Sequence, residues 1–214
     1  MLSVKVTKLV ACKKQGRLNV YIDDNFVFAA YSTVLSEFSI VQGAEISKKT
    51  VSLLLDADKR LFAKNTALSA LSRKDYSYNG IIKKLCEKDI EKTHAVYAAD
   101  YLCEIGYIND ERFVKAKTKY LFEIKKFGKR RVITELVRSG IDKDLATGIA
   151  ESYNDHEAEA ALLFIRDYIS KYKPDEKVLK RAFDRLIRKG HSFENARRAI
   201  RTIKEEQRNF DELD

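Results

Sequence analysis

An internal repeat constrains the fold of this chain more than any other feature of its sequence. Three segments superpose with offsets of 51 and 50 residues: GIIKKLCEKDI at 80–90, RVITELVRSGI at 131–141 and RAFDRLIRKGH at 181–191. Their coinciding apolar residues are Ile82, Ile133 and Phe183, then Leu85, Leu136 and Leu186, then Cys86, Val137 and Ile187. Because these positions are three and four residues apart, each segment predicts an amphipathic helix with an inward apolar stripe.

Each copy contains two further helices. The similarity continues past the turn, where Ala95, Ala146 and Ala196 coincide, and another helical run precedes each copy, at 61–73, 112–127 and 157–172. Such tandem units are typical of helical repeat proteins. We therefore predict a mainly α fold, in which tandem three-helix units form an elongated, curved body behind a small N-terminal antiparallel β segment.

The first fifty residues have a different pattern. Alternation in RLNVYID, the turn residues Asp23 to Asn25 and the run FVFAA predict a strand, a turn and a second strand. SVKVTKLVACKK supplies a third strand, and a short helix is expected from Ser32 to Phe38, with a break at Gly43. Ser47 is placed to cap the helix that begins KKTVSLLL.

Glycines mark the joints of the predicted repeats. Gly106 suits the left-handed residue at the end of a third helix, and Asn109 or Asp110 can cap the next helix. Gly140 and Gly190 end the middle helices of the second and third repeats, where the first repeat has Asp89. The predicted divisions are a β-rich segment at 1–46, a connecting helix at 47–60, repeats at 61–109, 110–154 and 155–208, and a tail at 209–214.

Basic residues are concentrated in two stretches. The formal net charge is +9, and residues 112–140 hold ten basic residues against two acidic ones, while 180–201 hold eight against two. KKFGKRR at 125–131 precedes a helix, so its side chains and exposed helix N-terminal amides would face phosphates together. The candidate binding residues are Lys125, Lys126, Lys129, Arg130, Arg131, Arg185, Arg188, Lys189, Arg197, Arg198 and Arg201.

The sequence contains no motif of a nucleotide-binding or catalytic site. It has neither GxxxxGK[ST] nor GxGxxG, and its three histidines do not cluster with other ligands at metal spacing. We expect no cofactor, no metal and no enzymatic activity. The cysteines follow no CxxC spacing, and Cys86 is expected as a small buried residue. Without a signal peptide or a long apolar run, a cytoplasmic protein with no membrane partner is expected.

One joint resembles a family signature. GYINDERF at 106–113 is similar to the GYLDDxRFA motif of the RecX family, the bacterial regulators of the RecA recombinase. The other matching residues are Arg73 with Ser77, Gly128 with Arg131, Glu135-Leu136, Gly140-Ile141 and the run from Arg185 to Gly190. The resemblance covers residues 60 to 205. Asn109 replaces the first Asp of the signature, and Asp89 replaces the usual Gly at the end of the first middle helix.

The resemblance implies a repeat protein that lies in the groove of a RecA filament on single-stranded DNA. Family members generally inhibit RecA ATPase and strand exchange by blocking filament growth or promoting disassembly, and so damp the SOS response. The expected partners are thus the RecA filament and single-stranded DNA, with weak duplex binding at most, and the expected state is a monomer. The β segment is an extension that only some members have, and it would contact RecA, contact DNA or cover the first repeat.

Two other functions fit the pattern of the residues. Short helices joined at a Gly-Ile turn also suit a stand-alone DNA-binding protein of helix-turn-helix type. A helical-repeat scaffold for an unrelated protein, with charge serving only solubility, is the third possibility.

Overall fold

Across residues 3–13, 16–172 and 175–211, which the computed structural model describes, the chain forms four β-strands and ten α-helices. The strands are β1 (Ser3–Ala11), β2 (Arg17–Ile22), β3 (Asn25–Tyr31) and β4 (Glu45–Ser47). The helices are α1 (Ser32–Glu37), α2 (Lys48–Leu71), α3 (Tyr78–Cys86), α4 (Lys92–Glu104), α5 (Asp110–Lys119), α6 (Lys129–Arg138), α7 (Lys143–Glu151), α8 (Asn154–Ile169), α9 (Glu176–Arg188) and α10 (Phe193–Asp211). The predicted mainly α chain with a small N-terminal antiparallel sheet is confirmed.

The helices and strands group into two units. The first contains Met1–Lys74 and Lys84–Tyr107, and the second contains Asp75–Lys83 and Ile108–Asp214. The start of α3 therefore belongs with the second unit.

The sheet of the first unit has the order β3-β2-β1-β4, with antiparallel neighbours. Asp23 and Asp24 adopt φ of 48° and 66° between β2 and β3, which are the two positive values that a tight hairpin turn requires. β4 is a fourth strand that the sequence analysis did not predict. It has only three residues, which are too few to show an alternating pattern of apolar and polar side chains.

An ion pair ties the sheet to α2. Asp58 of α2 accepts a hydrogen bond from the backbone N–H of Tyr31 at 2.7 Å and pairs with Arg17 at 2.7 Å. Arg17 also donates to the carbonyl oxygen of Ala29 at 2.6 Å. These contacts bind two backbone groups of β3, which is the strand at the edge of the sheet.

The predicted boundary between a connecting helix and the first repeat, at residue 60, falls inside one continuous helix. α2 runs from Lys48 to Leu71, and the hydroxyl of Ser47 caps it by accepting from the N–H of Thr50. No glycine or proline interrupts this stretch, so nothing in the chain ends the helix. At the other end, α10 continues to Asp211, into the predicted tail.

The buried stripe of the three middle helices contains the predicted leucines, but its other fully buried residue lies one position before the predicted Ile82, Ile133 and Phe183. The fully buried pairs are Ile81 and Leu85 in α3, Val132 and Leu136 in α6, and Ala182 and Leu186 in α9. Cys86 is exposed, as are the coinciding Val137 and Ile187. These three lie about 100° around the helix from the buried leucine that precedes them. The expectation of a buried Cys86 is therefore wrong.

The expected left-handed residues are confirmed. Asp89, Gly106, Gly140 and Gly190 have φ of 60°, 76°, 90° and 89°. Asn109 caps α5, since its side-chain oxygen accepts from the N–H of Arg112 at 2.8 Å.

Within the second unit, a middle helix begins against the end of the next middle helix. The N–H groups of Gly128 and Arg130 donate to the carbonyl oxygens of Lys189 and Gly190, at 3.0 and 3.2 Å. A side chain at Gly128 would lie 2.1 Å from the backbone nitrogen of His191. The two backbones therefore meet without room for a Cβ atom.

The start of α3 makes the same joint with the end of α6. Ser77 donates to the carbonyl oxygen of Ser139, and the Asn79 amide donates to that of Gly140 at 3.1 Å. A Cβ atom at Gly140 would lie 2.7 Å from the nitrogen of Gly80. The joint thus recurs at equivalent positions of the repeat.

We expect Gly128→Ala to destabilise the protein by about 3 kcal/mol or more, because the added methyl group meets backbone atoms that cannot move aside. Gly148→Ala in α7 is the matched control. Nothing lies within 4 Å of its added methyl group, and alanine in a helix should raise stability by about 0.5–1 kcal/mol. Urea unfolding of both variants measures the difference, and equal effects would contradict this account of the joint.

Candidate nucleic-acid interface

The segment KKFGKRR follows an unusual turn at the end of α5. α5 continues into a π-helical turn, Tyr120–Ile124, and Lys126 then adopts a φ of 51° before α6 begins at Lys129. The hydrogen bonds of Gly128 and Arg130 to the α9 end occupy two amides at this helix start. The N–H of Lys129 donates to Oε1 of Glu157 at 3.2 Å. The expectation that these amides face a phosphate is therefore wrong, because the fold already uses them.

Glu157 is the residue that takes the place of the expected anion. It is only 3% exposed, and its Oε1 also accepts from the N–H of Ser192 at 3.3 Å, just before α10. One carboxylate thus satisfies the N-terminal amides of two helices, where negative charge is favourable. Sequence reasoning missed this residue. The sequence did contain a sign that Glu157 is buried: this acidic residue lies on the same helix face as Ala161 and Ile165, four and eight residues later, which are buried.

Three of the predicted binding residues surround a cleft at this point. Lys129, Arg130 and Arg198 line a cavity of about 460 Å³, together with Glu157, Ala158, Ser192, Glu194 and Asn195. The structure therefore brings together residues from both basic stretches, which are far apart in sequence. Arg130 and Arg198 are exposed, and neither side chain has an ion-pair partner among the residues that the structure describes.

Two other predicted residues are used inside the fold. Nζ of Lys189 donates to the carbonyl oxygen of Lys125 at 2.5 Å and lies 4.8 Å from the ring centre of Phe164. Burial, and then the nearby charge of Lys125, lower the pKa of Lys189. Arg131 lies over Phe127 at 5.6 Å and pairs with Glu135 at 2.9 Å. These two cations hold the turn and α6 in place.

The remaining candidates differ in their surroundings. Arg185 lies 4.8 Å from the ring centre of Tyr168, and Arg197 lies 4.5 Å from that of Phe193. Lys126 is half-buried, whereas Lys125, Arg188 and Arg201 are exposed.

His191 lies buried between the turn before α6 and the end of α9. It is buried, and its Nε2 donates to the carbonyl oxygen of Lys126 at 3.1 Å. Its Nδ1 has no hydrogen-bond partner in the described part of the chain and lies 4.0 Å from Oε1 of Glu157. Burial lowers the pKa of His191 below 6.5, so the ring is neutral in the folded state near pH 7.

Among residues 3–13, 16–172 and 175–211 no group of three His, Cys, Asp or Glu side chains is arranged to hold a metal ion.

None of the described helices is both long enough and apolar enough to span a bilayer.

Comparisons with known proteins show which proteins the chain resembles. A model of the regulatory protein RecX N-terminal domain matches residues 4–47, and a model of the RecX second three-helix domain matches residues 109–147. Regulatory protein RecX of Clostridioides difficile is 25% identical over 98% of both chains. The chain is similar to RecX proteins along almost its whole length. Regulatory protein RecX of Caldanaerobacter subterraneus is 26% identical over 91% of this chain and 98% of its own length.

Some RecX relatives are longer. Regulatory protein RecX of Lactobacillus delbrueckii is 28% identical over 71% of this chain, and the match spans just over half, 56%, of the relative's length. Two crystal structures share the fold. One is described as regulatory protein RecX, with a TM-score of 0.61, 23% identity and coverage of 90% of this chain and 96% of its own. The other is RecX from Lactobacillus salivarius, with a TM-score of 0.58, 20% identity and coverage of 69% and 98%.

We expect acid to destabilise the protein through His191. Below pH 6.5 the unfolded histidine takes up a proton that the folded one resists, so stability is complete above this pH and falls as the pH decreases. His191→Gln keeps a donor for the Lys126 carbonyl but removes the titrating ring. Urea unfolding between pH 7.5 and 5.5 should therefore show a smaller loss for the variant than for the wild type. Identical losses would show that His191 is not the source.

Proposed function

We propose that this protein is a non-catalytic regulator of homologous recombination and of the SOS response. It binds in the groove of the RecA filament on single-stranded DNA. There it inhibits RecA ATPase and strand exchange by blocking filament growth or promoting disassembly. The matches to two RecX domain models and the name of its relatives, regulatory protein RecX, support a regulatory role. The observation that carries the proposal is the cleft lined by Lys129, Arg130 and Arg198.

The cleft is suited to phosphate because its three cations form no ion pair among the residues that the structure describes. Nearby, Glu135 pairs with Arg131 and Arg138, at 2.9 and 3.4 Å, which leaves Lys129 and Arg130 without a carboxylate of their own on α6. Glu194 and the buried Glu157 also line the cleft, so its three cations exceed its carboxylates by one. Side chains of this kind bind a nucleic-acid backbone without reading its sequence, and the binding weakens with salt.

The alternative of sequence-specific duplex binding is less well supported. In a helix-turn-helix pair the N-terminal end of the second helix enters the major groove. In the α6–α7 pair this end carries Asp142, which accepts from the N–H groups of Asp144 and Leu145 at 2.8 and 3.1 Å. The bond from Leu145, and then that from Asp144, lower the pKa of Asp142. A carboxylate that stays charged at this end repels the phosphates beside the groove.

The proposal is tested by the DNA-dependent ATPase rate of the cognate RecA on single-stranded DNA, with this protein titrated in at two salt concentrations. We expect inhibition below one protein per RecA, and weaker inhibition at the higher salt concentration. No effect at a several-fold excess over active RecA would rule the proposed function out.

In the same assay, we expect Lys129→Glu combined with Arg130→Glu to require about tenfold more protein for half inhibition, because two attractive charges become repulsive. The sequence alone would include Arg131 in this reversal, but its contacts with Phe127 and Glu135 make it a structural residue. Lys48→Glu with Lys49→Glu is the matched control, since both residues are exposed in the first turn of α2. Equal inhibition by the two double variants, with unchanged urea midpoints, would remove the cleft from the mechanism.

A further inference from the structure

The solvent face of the N-terminal sheet carries aromatic and basic side chains in adjacent positions. Lys8 pairs across the strands with Tyr21, and Tyr21 pairs with Phe26. The rings of Tyr21 and Phe26 meet edge to face, with centroids 5.9 Å apart, and Phe26 is 56% exposed. Val20, Ile22 and Phe28 alternate with them and are buried in the core. The aromatic pair is therefore not required to fill the interior.

The rest of this face is shallow and ends at another aromatic residue. The next cross-strand row contains Val10, Asn19 and Ala29, whose side chains are small. Beyond it, the guanidinium of Arg17 lies over the ring of Tyr31 at 4.5 Å. Arg17 covers the Tyr31 ring, which also packs against the core, so the rings of Tyr21 and Phe26 are the ones left for a ligand on this strip. Exposed aromatic rings beside a basic strip on a sheet resemble the surfaces on which single-stranded nucleic acids stack their bases.

The charge of the strands fits the same ligand. Residues 3–22 contain five basic residues and no acidic one: Lys5, Lys8, Lys13, Lys14 and Arg17. Lys8 is exposed beside the aromatic pair, and Lys13 is exposed after the end of β1, near Arg17 at the other end of the strip. Asp23 and Asp24 lie in the turn between β2 and β3, next to the aromatic pair and away from the β1–β2 end of the strip. Their charges repel phosphates, so a bound strand would direct its backbone toward β1 and its bases toward Tyr21 and Phe26.

We propose that this face is a binding site for single-stranded DNA, in which Tyr21 and Phe26 stack on bases and Lys8 and Lys13 contact phosphates. The site goes beyond the proposed function, because it requires neither RecA nor the cleft at Lys129. It gives the N-terminal sheet a role of its own.

An added strand from a protein partner fits this edge less well. The carbonyl oxygen of Ala29 and the N–H of Tyr31, which lie on β3 at the edge of the sheet, are already bonded to Arg17 and Asp58. Only the short stretch Asn25–Val27 is left for strand addition. A strand of that length provides few backbone hydrogen bonds.

The chain contains no tryptophan, which allows a direct test. Phe26→Trp places a single fluorophore in the proposed site, and Phe62→Trp on α2, 43% exposed in the wild type, is the matched control. Oligo(dT) of 20 nucleotides is titrated into each variant without RecA, while the anisotropy of a labelled oligo(dT) reports binding. We expect saturable quenching at position 26 and none at position 62.

A second variant measures the contribution of the ring to binding. Phe26→Ala should weaken oligo(dT) binding by about tenfold, the effect expected for loss of one stacked base, with an unchanged thermal midpoint. Absence of binding, binding without quenching at position 26, or unchanged affinity of Phe26→Ala would each overturn the proposal. The proposal would also be overturned if Phe26→Ala bound RecA more weakly in the absence of DNA while its oligo(dT) affinity stayed unchanged. The face would then be a binding site for protein. RecA ATPase inhibition decides the proposed function separately.

Discussion

The second unit depends on the close approach of two backbones at its glycine joints. At Gly128 the start of α6 contacts the turn after α9 with no space for a side chain, and hydrogen bonds to Lys189 and Gly190 fix the register. This contact, together with the carboxylate of Glu157, sets where α6 begins relative to α10. The cleft follows from it, because Lys129 and Arg130 are the first residues of α6.

The joints were predictable from the sequence because their signals are local. A left-handed residue after a helix favours glycine, and an Asn before a helix favours a cap, so Gly140, Gly190 and Asn109 could be assigned without a structure. The leucines of the apolar stripe were predicted correctly, but the residue that accompanies each of them in the core was placed one position too late. In a helix as short as α3, Ile81 and Ile82 both fit an inward stripe, and only the packing of neighbouring elements distinguishes them.

The candidate site was only partly predictable, since counting charges does not show which ones the fold neutralises. Lys189 and Arg131 belong to basic stretches but contact a carbonyl oxygen, aromatic rings and Glu135 inside the unit. Glu157 escaped notice because its partners, the amides of Lys129 and Ser192, are 28 and 35 residues away in sequence. Contacts over such distances leave no periodic pattern in the chain.

The direction of the joints has a consequence for synthesis on the ribosome. The first two middle helices, α3 and α6, begin at joints completed by residues that are made later: Asn79 bonds Gly140, 61 residues downstream, and the carbonyl of Lys126 accepts from His191, 65 residues downstream. A nascent chain that ends before the α9–α10 turn therefore leaves the amides of Gly128 and Arg130 exposed to water. Since chains emerge from their N-terminal end, the second repeat reaches its final hydrogen bonding only after most of the third has been translated.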